Sequence, residues 1–176
     1  IRLLGLTKAK YMAVLAGRLE LNGLTGPEAV HASLDRLNVT KEVARARQDM
    51  VSGRATLRDA AVRKLKYLKS VQKSGIHPRE WILSRVPVLP PAFRPVSILQ
   101  GTGSPMVADP NYLYRDLFEA GSHLKNLSKK VDDISDERIA VYQAFRAVTG
   151  LGDPITPELH DRNVKGILKN IFGKSP

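Results

Sequence analysis

Apolar residues recur at steps of three and four along most of the chain, a pattern that predicts helices in preference to strands. Residues 6–22 read as a first helix closed by Gly23. Thr25-Gly26-Pro27-Glu28 opens a second, with Thr or Gly at its cap, an early proline, and Ala29, Val30, Leu34 and Leu37 on one face. Thr40 is expected to cap a third helix that runs through Met50. Thr56-Leu57-Arg58-Asp59 nearly has the form of a capping box, with Asp at the fourth position. Behind it Val62, Leu65, Leu68 and Val71 keep helical spacing until Gly75 ends the run. The opposite face holds Arg63, Lys64, Lys66, Lys69 and Lys73, which reads either as a solvated face or as a phosphate-facing strip.

The pattern changes at "WILSRVPVLPPAFRPV", residues 81–96. Trp81-Ile82-Leu83 reads as a short strand. Pro87, Pro90, Pro91 and Pro95 then fix φ, remove four backbone donors and push the preceding residues to extended geometry. The expectation is a stiff, non-helical ribbon with buried apolar side chains. Gln100-Gly101-Thr102-Gly103-Ser104-Pro105 must be a loop. It lacks the Gly-Lys-Ser/Thr ending of a nucleotide-binding loop. Asp109 as N-cap and Pro110 as first helical residue start a long helix. Along it, Leu113, Leu117, Ala120, Leu124, Leu127 and Val131 alternate steps of four and three. A polar turn follows; Ser135 then opens a partner helix with Ile134, Val141, Phe145 and Val148 in similar rhythm. Together these predict an antiparallel helical hairpin with an apolar seam. Gly150 ends it, a loop runs through Pro157, and residues 163–172 resume helical spacing with Val164, Ile167, Leu168 and Ile171. The fold class is therefore mainly α with irregular loops.

Composition narrows the function. The 176 residues suit one domain or a piece of a larger one, and the lack of a starting Met suggests a segment of a longer polypeptide. Cysteine is absent, which excludes disulfides, a catalytic thiol and a Cys-built zinc site within these residues. No apolar run reaches the roughly 20 residues needed to span a bilayer, so no membrane partner is expected. Twenty-eight Lys and Arg against 17 Asp and Glu give a net charge of +11, a balance that favours polyanion partners. His31, His77, His123 and His160 stand singly, without metal-ligand spacing, and no Ser/His/Asp arrangement is evident. Asp132, Asp133, Asp136 and Glu137 cluster at the hairpin tip, where capping a helix suits them better than holding Mg²⁺.

The proline ribbon, the glycine loop and "ADPNYLYRDLFEAGSHLKNL" together resemble the β′ (largest) subunit of multisubunit DNA-directed RNA polymerases. The bacterial pattern runs Met-Ile-Leu-Thr-x-Leu-Pro-Val-Leu-Pro-Pro-x-Leu-Arg-Pro, a Gly-Gly loop, then Ser-Asp-Leu-Asn-x-Leu-Tyr-Arg-Arg. "LKYLKSVQKSGIHPREW" is similar to the Lys-rich helix that precedes the ribbon, and "GPEAVHASLDRLN" to a shorter family helix. The resemblance divides the chain into a basic helical clamp body (1–80), a proline ribbon with a lid-like loop (81–108), a clamp coiled coil (109–150), and a rudder-like loop entering the switch region (151–176). It implies a clamp that holds template DNA and the RNA–DNA hybrid. Gly101, Gly103, Met106 and Val107 would lie in the strand-separating loop. Arg162, Lys165, Lys169 and Lys174 would face nucleic acid. Arg115, Lys125, Arg138 and Gln143 would dock an initiation specificity factor. β-like and remaining β′ chains would be the other partners. Mg²⁺ would belong to the full polymerase, since the family's Asp-rich catalytic loop is absent here, as is its zinc-binding Cys cluster. Departures lie in Tyr114-Arg115-Asp116-Leu117-Phe118-Glu119, where bacteria carry Tyr-Arg-Arg-Val-Ile-Asn, and in the replacement of Lys-Gly-Lys-x-Gly-Arg-Phe-Arg by "VKGILKNIFGKSP". They resemble most the split β′ of large tailed bacteriophages, which implies the cytoplasm of a bacterial host or a virion. The competing readings are a stand-alone basic helical nucleic-acid-binding adaptor and a structural interaction protein.

Overall fold

The computed structural model describes residues 1–130 and 132–168, apart from the side chain of residue 160. The chain divides into two compact units, Ile1–Ser84 and Arg85–Pro176.

The first unit is four helices: α1 (Lys8–Ala16), α2 (Gly26–Asp35), α3 (Val39–Ser52) and α4 (Ala55–Ser74). Helix α1 ends seven residues before the predicted Gly23. Gly17 adopts φ 87° there, and the N–H groups of Gly17 and Arg18 donate to the carbonyls of Val14 and Ala13 at 3.0 and 2.9 Å. In α2, Ala29, Val30 and Leu34 are buried as predicted. The cap of α3 is Asn38, whose Oδ1 accepts from the Lys41 N–H at 3.0 Å, so Thr40 lies inside the helix. Thr56 and Asp59 are likewise helical residues of α4, and the capping box does not form. The buried face of α4 is Ala61, Leu65, Leu68 and Val71; Val62 stays 49 % exposed. Helices α3 and α4 pack through Val43, Ala46, Leu65 and Leu68, with Leu3 against them. A Lys64–Glu42 ion pair joins the two helices. Trp81 closes a 3-10 turn, Pro78–Trp81, in place of the predicted strand. Pro78 suits a helical first position, and His77 Nδ1 accepts from the Arg79 N–H at 3.3 Å. Arg79 also pairs with Asp35 at 2.9 Å and holds that carboxyl below its ordinary range.

The second unit opens with the proline ribbon. Its apolar side chains are not buried: Val86, Val88 and Phe93 are exposed, and only Leu89 and Arg94 are half-covered. Prolines cannot join a ladder, so polar groups hold the ribbon instead. Val96–Ile98 (β1) and Pro105–Val107 (β2) then pair antiparallel, with Val96 opposite Val107 and Ile98 opposite Pro105. Helix α5 (Asp109–Leu127) takes Ala108 as its cap, so Asp109 is its first residue rather than its N-cap. It packs against α6 (Ser135–Thr149) as the predicted hairpin. Near the tip the Ser135 N–H donates to Asp133 Oδ1 at 3.0 Å. Gly150 terminates α6 at φ 81°. The segment expected to be a plain loop holds a short helix, α7 (Pro157–Asp161), since Pro157 fits a first helical turn. Residues 163–166 are not helical, Asn163 having φ 52°; helix resumes at Ile167. The core is Leu113, Tyr114, Ala147, Val148, Leu159, Val164 and Ile167.

Candidate nucleic-acid interface

The root of the α5–α6 hairpin is tied to the proline ribbon by three side chains. Arg94 donates from Nε to the Leu89 carbonyl at 2.8 Å and from Nη1 to Asn111 Oδ1 at 2.9 Å. Asn111 returns a hydrogen bond from Nδ2 to the Arg94 carbonyl at 2.9 Å. Tyr114 donates to the Pro87 carbonyl at 3.0 Å and accepts from the Leu89 N–H at 2.9 Å; the Arg94 guanidinium lies 5.7 Å from its ring centroid. The Pro87 and Arg94 carbonyls and the Leu89 N–H are thus satisfied by side chains from the first turns of a helix rather than by a sheet. This explains why a Pro-Pro-x-x-Arg-Pro stretch and an Asp-x-Asn-x-Leu-Tyr-Arg stretch occur in one chain.

Between ribbon and helix stands the two-stranded hairpin. Its tip is closed by Leu99 N–H to Ser104 O at 3.0 Å and Gly103 N–H to Leu99 O at 3.1 Å, its base by Ala108 N–H to Pro95 O at 3.1 Å. Gly101 and Gly103 take φ of 104° and 67°, conformations that a side chain would strain. Val96, Ile98 and Met106 are exposed, while Val107 is half-buried. The loop predicted at 100–105 is therefore the end of a hairpin. Strands of three residues, one starting with proline, carry too short an alternation to be read.

A second polar set clasps residues 156–162 along α5. Thr156 donates to Asp116 Oδ2 at 2.7 Å, and Arg162 Nη2 donates to Asp109 Oδ1 at 2.6 Å. Those carboxylates are seven residues apart, two turns of one helix face. Between them Tyr112 has the guanidinium of Arg162 at 5.2 Å and that of Arg115 at 5.3 Å from its ring. Arg115 also meets Asp116 at 3.1 Å and Glu119 at 3.8 Å. Asp116 is 4 % exposed, so its charge is buried with two partners. Leu159 lies in the core midway along this clasp.

The sequence-predicted residues fall into distinct places. Arg162 is half-exposed, with its guanidinium engaged by Asp109 and Tyr112. Lys165 is exposed and lines a small recess with Gly150, Asp153, Asn163 and Gly166. Lys169 and Lys174 lie outside the described residues. On the helical hairpin, Lys125 and Gln143 are exposed, Arg138 is half-buried, and Arg115 is engaged by Asp116. Asn111, Tyr112, Tyr114, Asp116 and Thr156 were not assigned roles by sequence. Their partners lie as many as 50 residues away, beyond any local signal.

Among the described residues, no helix is long and apolar enough to cross a membrane. No protein-family model matches the chain. Curated relatives do. The chain is 30 % identical over 169 residues, 86 % of its length, to the DNA-directed RNA polymerase subunit β′ of Rubrobacter xylanophilus. It is 32 % identical over 155 residues, 85 % of its length, to that of Deinococcus radiodurans. With the corresponding subunit of Lacticaseibacillus casei it shares 34 % over 106 residues, 60 % of its length. It spans 13 %, 10 % and 9 % of those three proteins respectively, so the similarity is to a segment of each.

Proposed function

We propose that this chain is a segment of a β′-type subunit of a DNA-directed RNA polymerase and forms part of its clamp. The observation that carries the reading is the similarity to β′ subunits over as much as 86 % of the chain. The ribbon–helix lock of Arg94, Asn111 and Tyr114, which joins the two stretches most like the family, supports it. In this reading the 96–107 hairpin parts transcript from template. Its exposed Met106 and left-handed glycines suit a thin, stiff wedge. The paired helices α5 and α6 form a rigid arm for an initiation specificity factor. Template DNA, the RNA–DNA hybrid, β-like and further β′ chains are the partners. Mg²⁺ acts elsewhere in the assembly. The substitutions along α5, Asp116 and Glu119 above all, favour a phage-type split subunit with a specificity factor of its own, working in the host cytoplasm or a virion.

The test is co-expression with the remaining polymerase chains of its source. Co-purification and transcription from a preformed scaffold are expected; a chain that elutes alone and leaves transcription unchanged would contradict the proposal. Docking is tested separately with K125E/Q143E, two exposed positions whose replacement leaves the clasp intact. Promoter-directed initiation should fall at least tenfold while scaffold elongation persists.

A further inference from the structure

Arg79 is held at both ends, and one of its partners changes charge with pH. Its N–H donates to His77 Nδ1 at 3.3 Å, and its guanidinium pairs with Asp35 of α2 at 2.9 Å. The first bond caps the 3-10 turn Pro78–Trp81; the second ties that turn to α2, on which it packs. Pro78 is buried and anchors the start of the turn, whereas Trp81 at its end is 48 % exposed. Two further bonds run inside it, Glu80 N–H to the His77 carbonyl at 3.0 Å and Ile82 N–H to the Arg79 carbonyl at 3.1 Å. A 3-10 helix has poorer hydrogen-bond geometry than an α-helix, so the cap counts for more here. Nδ1 accepts only while the imidazole is neutral; a proton there makes it a donor aimed at another N–H, and the cap is lost. The charged groups around it turn that loss into an exchange. Helix α2 contributes His31 and Asp35, the turn itself Arg79 and Glu80, and the last turn of α4 Lys73. Asp35 feels Arg79, His31 and His77 at once. Among the described residues, no three His, Asp or Glu side chains gather closely enough to hold a metal ion.

We infer that His77 is a proton-operated latch on the Pro78–Trp81 turn. With the imidazole neutral, His77 caps the turn while Arg79 holds Asp35. With the imidazole protonated, the cap is lost, the imidazolium competes with Arg79 for Asp35, and the turn loosens at its Trp81 end. Trp81 lines a cavity of about 460 Å³ with Tyr11, Val30, Leu34 and Tyr67, so the latch sets how one side of that cavity is walled. The sign follows from the cap: it exists only with neutral imidazole, so the closed turn is favoured at the alkaline end of the range in which histidines change charge, and acid opens it. His31 stands one turn before Asp35 on α2 and changes charge by the same chemistry, but it makes no hydrogen bond to the turn. It is therefore the internal control. The inference goes beyond the polymerase reading and stands whether or not the chain assembles with other subunits.

Trp81 is the only tryptophan of the chain, so its fluorescence reports on the turn directly. The full chain is titrated from about pH 8 to about pH 5, the range in which imidazoles change charge. Two signals are followed: acrylamide quenching of Trp81, and the Arg79 amide resonance in a nitrogen-15-labelled sample. The wild-type chain should show one reversible transition in both, with Trp81 more open to the quencher in acid. His77→Asn presents an acceptor in the same place without titrating. It should keep the wild-type melting temperature at the upper pH and lose both transitions, staying closed throughout. His31→Gln should retain them. Should H77N fail to fold, the Arg79 amide of the wild-type chain decides alone, because a cap that is lost must move that resonance. Transitions that survive in H77N, transitions that vanish in H31Q, or an Arg79 amide that does not move with pH would each overturn the inference.

Discussion

Arg94 and Asn111 hold each other at two points: guanidinium to amide oxygen at 2.9 Å, and amide nitrogen to the Arg94 carbonyl at 2.9 Å. The exchange fixes the exit of the proline ribbon against the first turn of α5, and Tyr114 repeats the same service one turn on. A ribbon with four prolines has few backbone donors to offer. Helix side chains that accept from the Leu89 N–H and donate to the Pro87 and Arg94 carbonyls hold it instead.

Tyr114→Phe keeps the ring in the core and deletes the hydroxyl that contacts Pro87 and Leu89. It should cost about 1–2 kcal/mol, and Asn111→Ala, which strands the Arg94 fork as well, about 2–3 kcal/mol. For a unit of this size each kcal/mol lowers the melting temperature by about 4–8 °C. Arg94→Lys should not rescue, because an ammonium cannot span Leu89 and Asn111 as a planar fork does. Calorimetry of the three variants checks the order.

The clasp predicts two different coupling energies. Asp116 is buried and its bond to Thr156 is charge-assisted, so a D116N/T156V double-mutant cycle should give about 1.5–3 kcal/mol. The Asp109–Arg162 pair is half-exposed, and its cycle should give only about 0.2–1 kcal/mol. Equal values from chemical denaturation would contradict the assignment.

Gly166 is pressed against the end of α6. A Cβ there would lie 2.2 Å from the Ala147 carbonyl oxygen and 2.2 Å from the Gly150 nitrogen. These are backbone atoms and cannot step aside, so Gly166→Ala should destabilise by at least about 1–3 kcal/mol. Gly121→Ala, in a helix with open space around it, should be neutral or slightly stabilising.

Asp35 supplies the pH prediction. Arg79 lowers its carboxyl pKa in the folded chain, so the unfolded chain binds the proton more readily. The stabilisation is present above the ordinary aspartate range and is lost as pH falls through the lowered value. Both groups are exposed, so the effect is small. Asp35→Asn should lower stability slightly at pH 7 and leave it unchanged below the lowered value, so the acid limb of the stability–pH curve flattens slightly.

Much of this fold was legible because helices declare themselves by period, and Leu65, Leu68, Val71, Leu113 and Val148 all sit where the apolar rhythm puts them. Helix ends were harder. Thr40 and Asn38 are both good cap residues two positions apart, and only the geometry of the preceding turn chooses Asn38. Ala61 rather than Val62 faces the core because it stands four and seven residues before Leu65 and Leu68, on the same side of the helix. The apolar content of the ribbon predicts burial, and its side chains are mostly exposed. The expected non-helical path holds only in part, since Pro91–Phe93 turns as a 3-10 helix after Pro90, and burial depends on what packs against the ribbon, which no local pattern records. The lock and the clasp were invisible for the same reason. Their sequence motifs were recognisable, yet the pairing of Arg94 with Asn111 needs the fold to bring residues 17 apart together.

The central claim is that this chain places the 96–107 hairpin beside a growing transcript, and a photo-crosslink tests it most directly. With p-benzoylphenylalanine at position 106 in the assembled polymerase, stalled on a scaffold with radiolabelled RNA, the account predicts a crosslink to RNA at the upstream edge of the hybrid. The same group at position 126, on the exposed side of α5, should leave the RNA unlabelled. RNA crosslinking from neither position in an active complex, or from 126 alone, would contradict it.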